Sequence, residues 1–243
     1  ENEAWVQIDR AQRQWREGNY LKALTLYDGV HRNYPNSQYA DDALWEIGTI
    51  YYVNLYSLES ALGSFHKLTT QYPDSPLVPG SYSKLAQIHE AELVDLPQAI
   101  NYWNQMSSLD LSPERRRQVR FHIGNAHFKL NQFEEALIEL EAILSDDHLD
   151  AITDQARIRA GAIMQIQGRH NESVKYFAEV LKETNCSECR RTARLGLIES
   201  YEFLGELPMA MKVAQAIPAS EFPAQVKEDL LKRLGKKSEY YSP

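Results

Sequence analysis

The sequence has no apolar run that approaches the ~18 residues a membrane-spanning helix needs. It also lacks an excess of positive charge, because 34 Asp and Glu outnumber 26 Lys and Arg and leave a formal net charge of −8. Nucleic-acid binding depends on a dense field of Lys and Arg side chains, which this composition does not supply. The composition therefore predicts a chain with no membrane span and no nucleic-acid partner.

Residue patterns that carry catalysis or bind metals are also missing. The chain contains no Gly-rich phosphate loop, no Gly-x-Ser-x-Gly and no His-Glu-x-x-His. His122 and His127 are five positions apart, whereas a metal shared on one helix face needs a spacing of about three or four. We therefore predict no catalytic residue, no metal site and no cofactor.

A long repeat dominates what the sequence does contain. Small residues recur at intervals of 37 or 38 positions, at Ala23, Ala61, Ala99, Ala136, Ser173 and Ala210. Four positions after each lie Tyr27, Phe65, Trp103, Leu140, Phe177 and Ala214, which are large in all copies but the last. A second set of small residues lies 12 or 13 positions upstream, at Ala11, Gly48, Ala86, Gly124 and Gly161. Small residues at fixed points let two adjacent helices approach closely, so this period predicts helix-turn-helix repeats.

The copies resemble the tetratricopeptide repeat, whose pattern is W-x2-L-G-x2-Y, A-x3-F and P. The second copy has Leu44-x2-Ile47-Gly48-x2-Tyr51, then Ala61-x3-Phe65 and Pro73. The family period is about 34, so about three residues are added between the second helix of one repeat and the first helix of the next. The resemblance implies an all-α fold, an α-solenoid of about six such repeats.

The predicted solenoid covers residues 1–218. We place its repeats at about 4–36, 37–74, 75–112, 113–148, 149–186 and 187–218. Proline cannot continue a helix, so Pro35 and Pro73 are expected to end the second helices of two repeats. Ser37 and Ser75 follow them and are the expected N-caps of the next helices.

A final helix is predicted beyond the repeats, at residues 219–235, where it would cover the open end of the solenoid. Its apolar stripe consists of Val226, Leu230, Leu231 and Leu234. Gly235 marks its expected end, and residues 236–243 are expected to form a flexible tail.

The sequence holds two cysteines, Cys186 and Cys189, at the junction of the fifth and sixth repeats. A thioredoxin-like site needs a βαβ context, a zinc site needs two further ligands, and a haem attachment needs His in place of Arg190. Two interpretations stay open: a local disulfide or two free thiols. Export to an oxidising compartment would favour the disulfide.

The resemblance also implies a binding surface. In tetratricopeptide proteins the first helix of each repeat lines a concave face that binds protein or peptide partners. By register, the candidate partner-binding residues are Trp5, Trp15, Trp45, Tyr52, Phe121, Asn125 and Phe128. The alternative is that the superhelix buries some of these rings itself. Asn125 and Arg159 loosely match the family's carboxylate clamp, but its other basic residues are missing, which disfavours a chaperone-tail adaptor.

The stretched joints are similar to those of bacterial cell-envelope tetratricopeptide lipoproteins that serve outer-membrane assembly or cell division. This resemblance rests on Gly18-Asn19-Tyr20 and on Tyr-Pro-x-Ser followed by Ala40. It implies a non-catalytic scaffold in the periplasm, with a possible lipid anchor upstream of Glu1 as its only membrane attachment. Two alternatives stay open: a cytoplasmic adaptor or regulator, and an accessory subunit that recruits the substrate of an enzyme.

Overall fold

The computed structural model describes residues 2–145 and 149–241. Its helices are α1 (Asn2–Arg16), α2 (Tyr20–Asn33), α3 (Ala40–Thr49), α4 (Leu58–Gln71), α5 (Val78–Ala91), α6 (Leu96–Ser107), α7 (Pro113–Lys129), α8 (Phe133–Leu144), α9 (Ala151–Ile166), α10 (His170–Glu183), α11 (Ser187–Phe203), α12 (Leu207–Gln215) and α13 (Ala224–Tyr241), with a π-helical turn at Ile50–Asn54. No strand occurs in the described ranges, and the predicted all-α class is confirmed. The predicted end of the fourth repeat at residue 148 lies outside the described residues, as do the last two residues of the predicted tail.

Consecutive helices pack as pairs within two compact units, Glu1–Leu111 and Ser112–Pro243. The N-terminal unit contains the pairs α1/α2, α3/α4 and α5/α6, and the C-terminal unit contains α7/α8, α9/α10 and α11/α12. Inside each unit the second helix of a pair also contacts the first helix of the next. The fold is a tetratricopeptide-like solenoid. Within the described ranges, no helix combines the length and the apolar character needed to cross a bilayer.

The repeated small residues lie where the two helices of a pair touch. All six predicted positions are fully buried, namely Ala23, Ala61, Ala99, Ala136, Ser173 and Ala210. The upstream glycines allow the same close approach, because a Cβ on Gly48 would come within 2.8 Å of the Phe65 ring. Gly161 has the same relation to Phe177, at 2.9 Å. The repeat register predicted from the sequence therefore agrees with the packing.

The helix α3 does not end as a regular α-helix. It continues into the π-helical turn Ile50–Asn54, whose wider hydrogen bonding includes Leu55 N–H donating to Ile50 O at 3.1 Å. Tyr56 then adopts a left-handed conformation with φ +52° before α4 begins. Short π-helical turns rotate the residues that follow them and are frequent at functional sites. Nothing in the repeat pattern predicted this turn.

The two Tyr-Pro joints end their helices as predicted, because α2 stops at Asn33 and α4 stops at Gln71. The predicted N-caps were wrong. α3 and α5 begin after Tyr39 and Leu77, neither of which caps its helix with a side chain. Ser75 instead stabilises the turn itself: its Oγ accepts the Leu77 N–H at 3.1 Å and donates to Asp41 Oδ2 at 2.5 Å.

The last helix differs from the prediction at both ends. It begins at Ala224 and continues through residue 241, so residues 236–241 are helical and do not form the predicted tail. The added turn is held by Glu202, which accepts hydrogen bonds from Arg233 at 2.8 Å and from Lys237 at 2.8 Å. Leu234 packs in the core cluster formed with α11 and α12, whereas Val226, predicted in the same apolar stripe, is exposed.

Candidate functional site

A groove of about 340 Å³ lies along the first helices of three consecutive pairs in the C-terminal unit. It is lined by Phe121 and Asn125 from α7, by Gln155, Ile158 and Arg159 from α9, and by Cys186, Glu188, Cys189 and Thr192 around the start of α11. Residues about three or four positions apart on a helix share a face, which explains how each helix contributes several of them. We call this surface the first-helix groove.

Arg159 is the charged centre of the first-helix groove. Its guanidinium carbon lies 4.4 Å from the centroid of the Phe128 ring, and its Nε is buried without a hydrogen-bond partner. No carboxylate in the described part of the chain forms an ion pair with it. Burial lowers the pKa of the Arg159 guanidinium below its ordinary value, but arginine stays protonated in proteins. Within the described residues, the groove therefore holds a positive charge without a paired carboxylate.

Asn125 adds a second unsatisfied polar group to the same groove. Its Oδ1 is buried and has no hydrogen-bond partner in the described structure. Most buried polar atoms in native proteins are hydrogen-bonded, so an unpaired amide oxygen beside a groove indicates a place for a ligand donor. Phe121 and Phe128 are half-buried and pack against the core cluster of α8 and α9, which fixes their helix beneath the groove.

Cys186 and Cys189 are joined by a disulfide, with Cα atoms 5.2 Å apart. Cys186 is the N-cap of α11, and its Sγ accepts the Cys189 N–H at 3.0 Å. Both residues line the first-helix groove. The sequence indicated the pair but gave no reason to place it beside Phe121 and Asn125.

The structure places Trp45 in helix packing. Its ring meets the Phe65 ring edge-on with centroids 5.4 Å apart, and a Cβ on Gly80 would lie 3.1 Å from it. Trp45 is thus partly buried between α3, α4 and α5, which favours the alternative in which the solenoid buries the ring itself.

Of the other three predicted residues of the N-terminal unit, Tyr52 packs against the same core cluster as Trp45, whereas Trp5 and Trp15 make other contacts. Tyr52 donates from its hydroxyl to Glu92 Oε1 at 3.4 Å, and Trp15 donates from Nε1 to Asn54 Oδ1 at 3.3 Å. Trp5 is 51% exposed and lines a separate surface depression beside Tyr34. The seven predicted residues therefore fall in several places, and the structure brings only Phe121, Asn125 and Phe128 together around Arg159.

Two exposed apolar residues lie in the turns that connect the two helices of a pair, and the sequence pattern did not predict them. Tyr56 is 82% exposed and Val94 is 74% exposed, and both have positive φ, +52° and +53°. A β-branched residue is a clear outlier in this region. No turn signal in the sequence, such as glycine or asparagine, marks either position.

Comparisons with known proteins support the fold. Residues 42–75 match the family model described as "Tetratricopeptide repeat". The comparison with curated proteins found no match.

Three solved structures are similar to this chain over most of both lengths. A tetratricopeptide repeat protein from Parabacteroides merdae ATCC 43184 is 16% identical with a TM-score of 0.61, covering 100% of this chain and 94% of that one. PilW, a type IV pilus biogenesis factor, is 16% identical with a TM-score of 0.57, covering 96% and 99%. YrrB, described as a tetratricopeptide protein with an unusual peptide-binding site, is 14% identical with a TM-score of 0.61, covering 86% and 97%. At these identities the likeness concerns the fold alone.

Proposed function

We propose that the chain is a non-catalytic scaffold that binds an extended segment of a partner protein in the first-helix groove. The observation that carries this proposal is that, among the described residues, Arg159 Nε and Asn125 Oδ1 of one groove are both buried without a hydrogen-bond partner. A buried charge is costly unless it is paired, so a site of this kind gains most from a ligand that supplies the missing partner. Tetratricopeptide folds are typical of binding proteins, and YrrB has a peptide-binding site by its description.

The chemistry of the groove defines the segment that fits it. A carboxylate, from an acidic side chain or a chain end, would pair with Arg159, and a backbone N–H would donate to Asn125. Phe121 and Ile158 offer apolar surface for the neighbouring side chain of the same segment. Glu188 also lines the groove and disfavours a second acidic residue at its end. The preferred ligand is thus one carboxylate followed by an apolar residue in an extended segment.

We place this scaffold in the oxidising periplasm of a bacterial cell, in an assembly of outer-membrane or cell-division proteins. The Cys186–Cys189 disulfide supports the setting, because such bonds persist in oxidising compartments and are rare in the cytosol. The likeness to PilW, a pilus biogenesis factor, is compatible with it. Fractionation of cells that express the full-length protein, with thiols blocked during lysis, tests the proposal. A cytoplasmic protein with two free thiols would overturn it and favour the cytoplasmic adaptor.

The binding proposal is tested by selection from a displayed peptide library on the immobilised protein. We expect selected peptides to share one acidic position next to an apolar one. Arg159→Gln should weaken their binding by roughly 10-fold or more, since hydrogen bonds to charged groups contribute about 1.5–3 kcal/mol.

Arg115→Gln is the matched control for this selection. It removes the same charge from the same unit, at an exposed position in the first turns of α7. Its affinity for the selected peptides should equal that of the unsubstituted protein. Peptides that bind both variants equally well would place the binding surface elsewhere and refute the role of the groove.

A further inference from the structure

The two residues of the Cys186–Cys189 disulfide differ in how exposed they are. Cys186 is half-buried and lines both the first-helix groove and a smaller cavity of about 140 Å³ beside Asp150 and Asp154. Cys189 is 4% exposed and packs in the apolar cluster of Phe177 and Leu197. Both cysteines line the groove, but Cys186 is the more exposed of the two, so a molecule in the groove meets Cys186 first.

Cys186 also lies at a helix start, a setting in which cysteines become reactive. Cys186 is the N-cap of α11, so its sulfur lies at the positive end of a 17-residue helix. The Cys189 N–H donates to this sulfur at 3.0 Å. Glu188 in the first turn adds negative charge near this sulfur, as do Asp150 and Asp154 beside the smaller cavity. Arg190 adds positive charge one residue beyond Cys189, and its Nη1 also lies 4.0 Å from Glu221 Oε1. Helix N-termini and neighbouring cations are the settings in which cysteines become reactive.

The start of α11 does not depend on the disulfide for its shape. Cys186 N–H donates to Thr184 Oγ1 at 3.0 Å, and Arg190 Nη2 donates to Thr184 O at 2.6 Å. Thr184 in turn donates from its hydroxyl to Asp154. A disulfide constrains the unfolded chain less as the loop it closes becomes shorter, and this loop spans a sequence separation of only 3. The disulfide therefore adds little to the stability of this turn, which the hydrogen bonds already hold in place.

We propose that Cys186–Cys189 is a thiol–disulfide exchange site that links a cysteine of the bound segment to Cys186. The proposal rests on the proposed function, because the first-helix groove must deliver that segment. The thiol of the segment loses its proton to water, and its sulfur attacks Cys186 Sγ. The Cys186–Cys189 bond breaks, and its electron pair leaves on Cys189 Sγ, which takes up a proton. One disulfide replaces another, so the step needs no external oxidant. Attack by Cys189 on Cys186 reverses it and releases the segment.

The test uses glutathione as the probe, because it carries a thiol and carboxylates. In Cys189→Ala the remaining Cys186 should react with oxidised glutathione, form the mixed disulfide and release one glutathione thiol. In Cys186→Ala the buried Cys189 should react at least about tenfold more slowly, in line with its lower exposure. Intact-mass spectrometry after acid quenching measures both rates, and far-UV circular dichroism checks that both variants are folded.

The second measurement uses the unsubstituted protein, so a folding defect in a variant cannot affect its result. Reduced glutathione should open its disulfide under native conditions, and the adduct should map to Cys186. A disulfide that opens only after unfolding, or equal rates for the two single-cysteine variants, would overturn the exchange site.

The Arg159→Gln substitution distinguishes the exchange reaction at Cys186 from the binding of an anion in the groove. In the Cys189→Ala background it should slow the reaction with oxidised glutathione, which is anionic, and leave the reaction with neutral hydroxyethyl disulfide unchanged. Fast reaction with both probes regardless of Arg159 would support the exchange site and contradict anion binding in the groove. An inert Cys186 together with Arg159-dependent peptide binding would refute the exchange site and leave the proposed function standing.

Discussion

The ring of Phe177 lies so close to Gly196 that a Cβ on this glycine would sit 2.4 Å from two ring atoms. The same ring touches the backbone at Gly161, where a Cβ would lie 2.9 Å away. Phe177 on α10 therefore fills a slot between α9 and α11 that only glycine backbones leave wide enough. This contact ties the fifth pair of helices to the sixth.

Gly196→Ala should destabilise the protein by about 1–3 kcal/mol, because the added methyl group overpacks a rigid ring. Urea denaturation measures the change in the free energy of unfolding. Gly63→Ala is the control, since nothing lies within 4 Å of the position a Cβ would occupy in the helix α4. There alanine should raise stability by roughly 0.5–1 kcal/mol. Equal stabilities for the two variants would contradict the Phe177 contact.

Trp45→Ala should lower the free energy of unfolding by about 2–4 kcal/mol, because the ring packs on Phe65 and against Gly80. Trp5→Ala should change it by about 0.5 kcal/mol or less, since Trp5 is largely exposed. Thermal and urea unfolding of both variants give the comparison. If Trp45→Ala were as stable as Trp5→Ala, the ring would be free to act as a ligand anchor.

Val94→Gly should stabilise the protein by about 1 kcal/mol, because a left-handed conformation costs an L-residue about 1–2 kcal/mol and glycine avoids that cost. Leu93→Gly, one residue earlier, should instead destabilise it, because no positive φ is relieved there. The melting temperatures of the two variants should move in opposite directions. A loss of stability in both would show that Val94 makes a contact outweighing its backbone strain.

Two deletions at the C-terminus, one of the whole last helix and one of its last turns, should differ in their effects. Deletion of residues 220–243 exposes Ile198, Ile217 and their cluster, so we expect aggregation on size-exclusion chromatography. Deletion of residues 236–243 removes the contact between Lys237 and Glu202 but keeps Leu234, and should leave a monomer that unfolds at nearly the same temperature. Aggregation of the shorter deletion would show that the last turn, and not the Leu234 cluster, protects the end of the solenoid.

The repeat register was predictable because it depends on residues that touch within one pair of helices. Gly48 meets Phe65, and Gly161 meets Phe177, at separations that the period preserves. The Phe177–Gly196 contact was not predictable, because it joins one pair to the next and depends on how the helices cross. Continuation of the period also lands on Ile198 in the sixth copy, where no small residue stands, whereas the close approach occurs at Gly196.

The candidate site was predictable only in part for the same reason. Register shows which residues lie on the first-helix face, and Phe121, Asn125 and Phe128 do lie around one groove. It does not show what covers a residue, so the sequence leaves open whether the solenoid buries the Trp45 ring, which in the structure packs against Gly80. It also does not show which charges find partners, and the unpaired state of Arg159 emerges only from the three-dimensional packing.

In the proposed complex, Arg159 pairs with a carboxylate of the bound segment. A double-mutant cycle by isothermal titration calorimetry tests it most directly, with Arg159→Gln in the protein and Glu→Gln or Asp→Asn in a selected peptide. We predict a coupling energy of about 1.5–3 kcal/mol, with the second substitution nearly silent once the first is made. Additive losses, with a coupling near zero, would show that the carboxylate and Arg159 do not meet and would contradict the account.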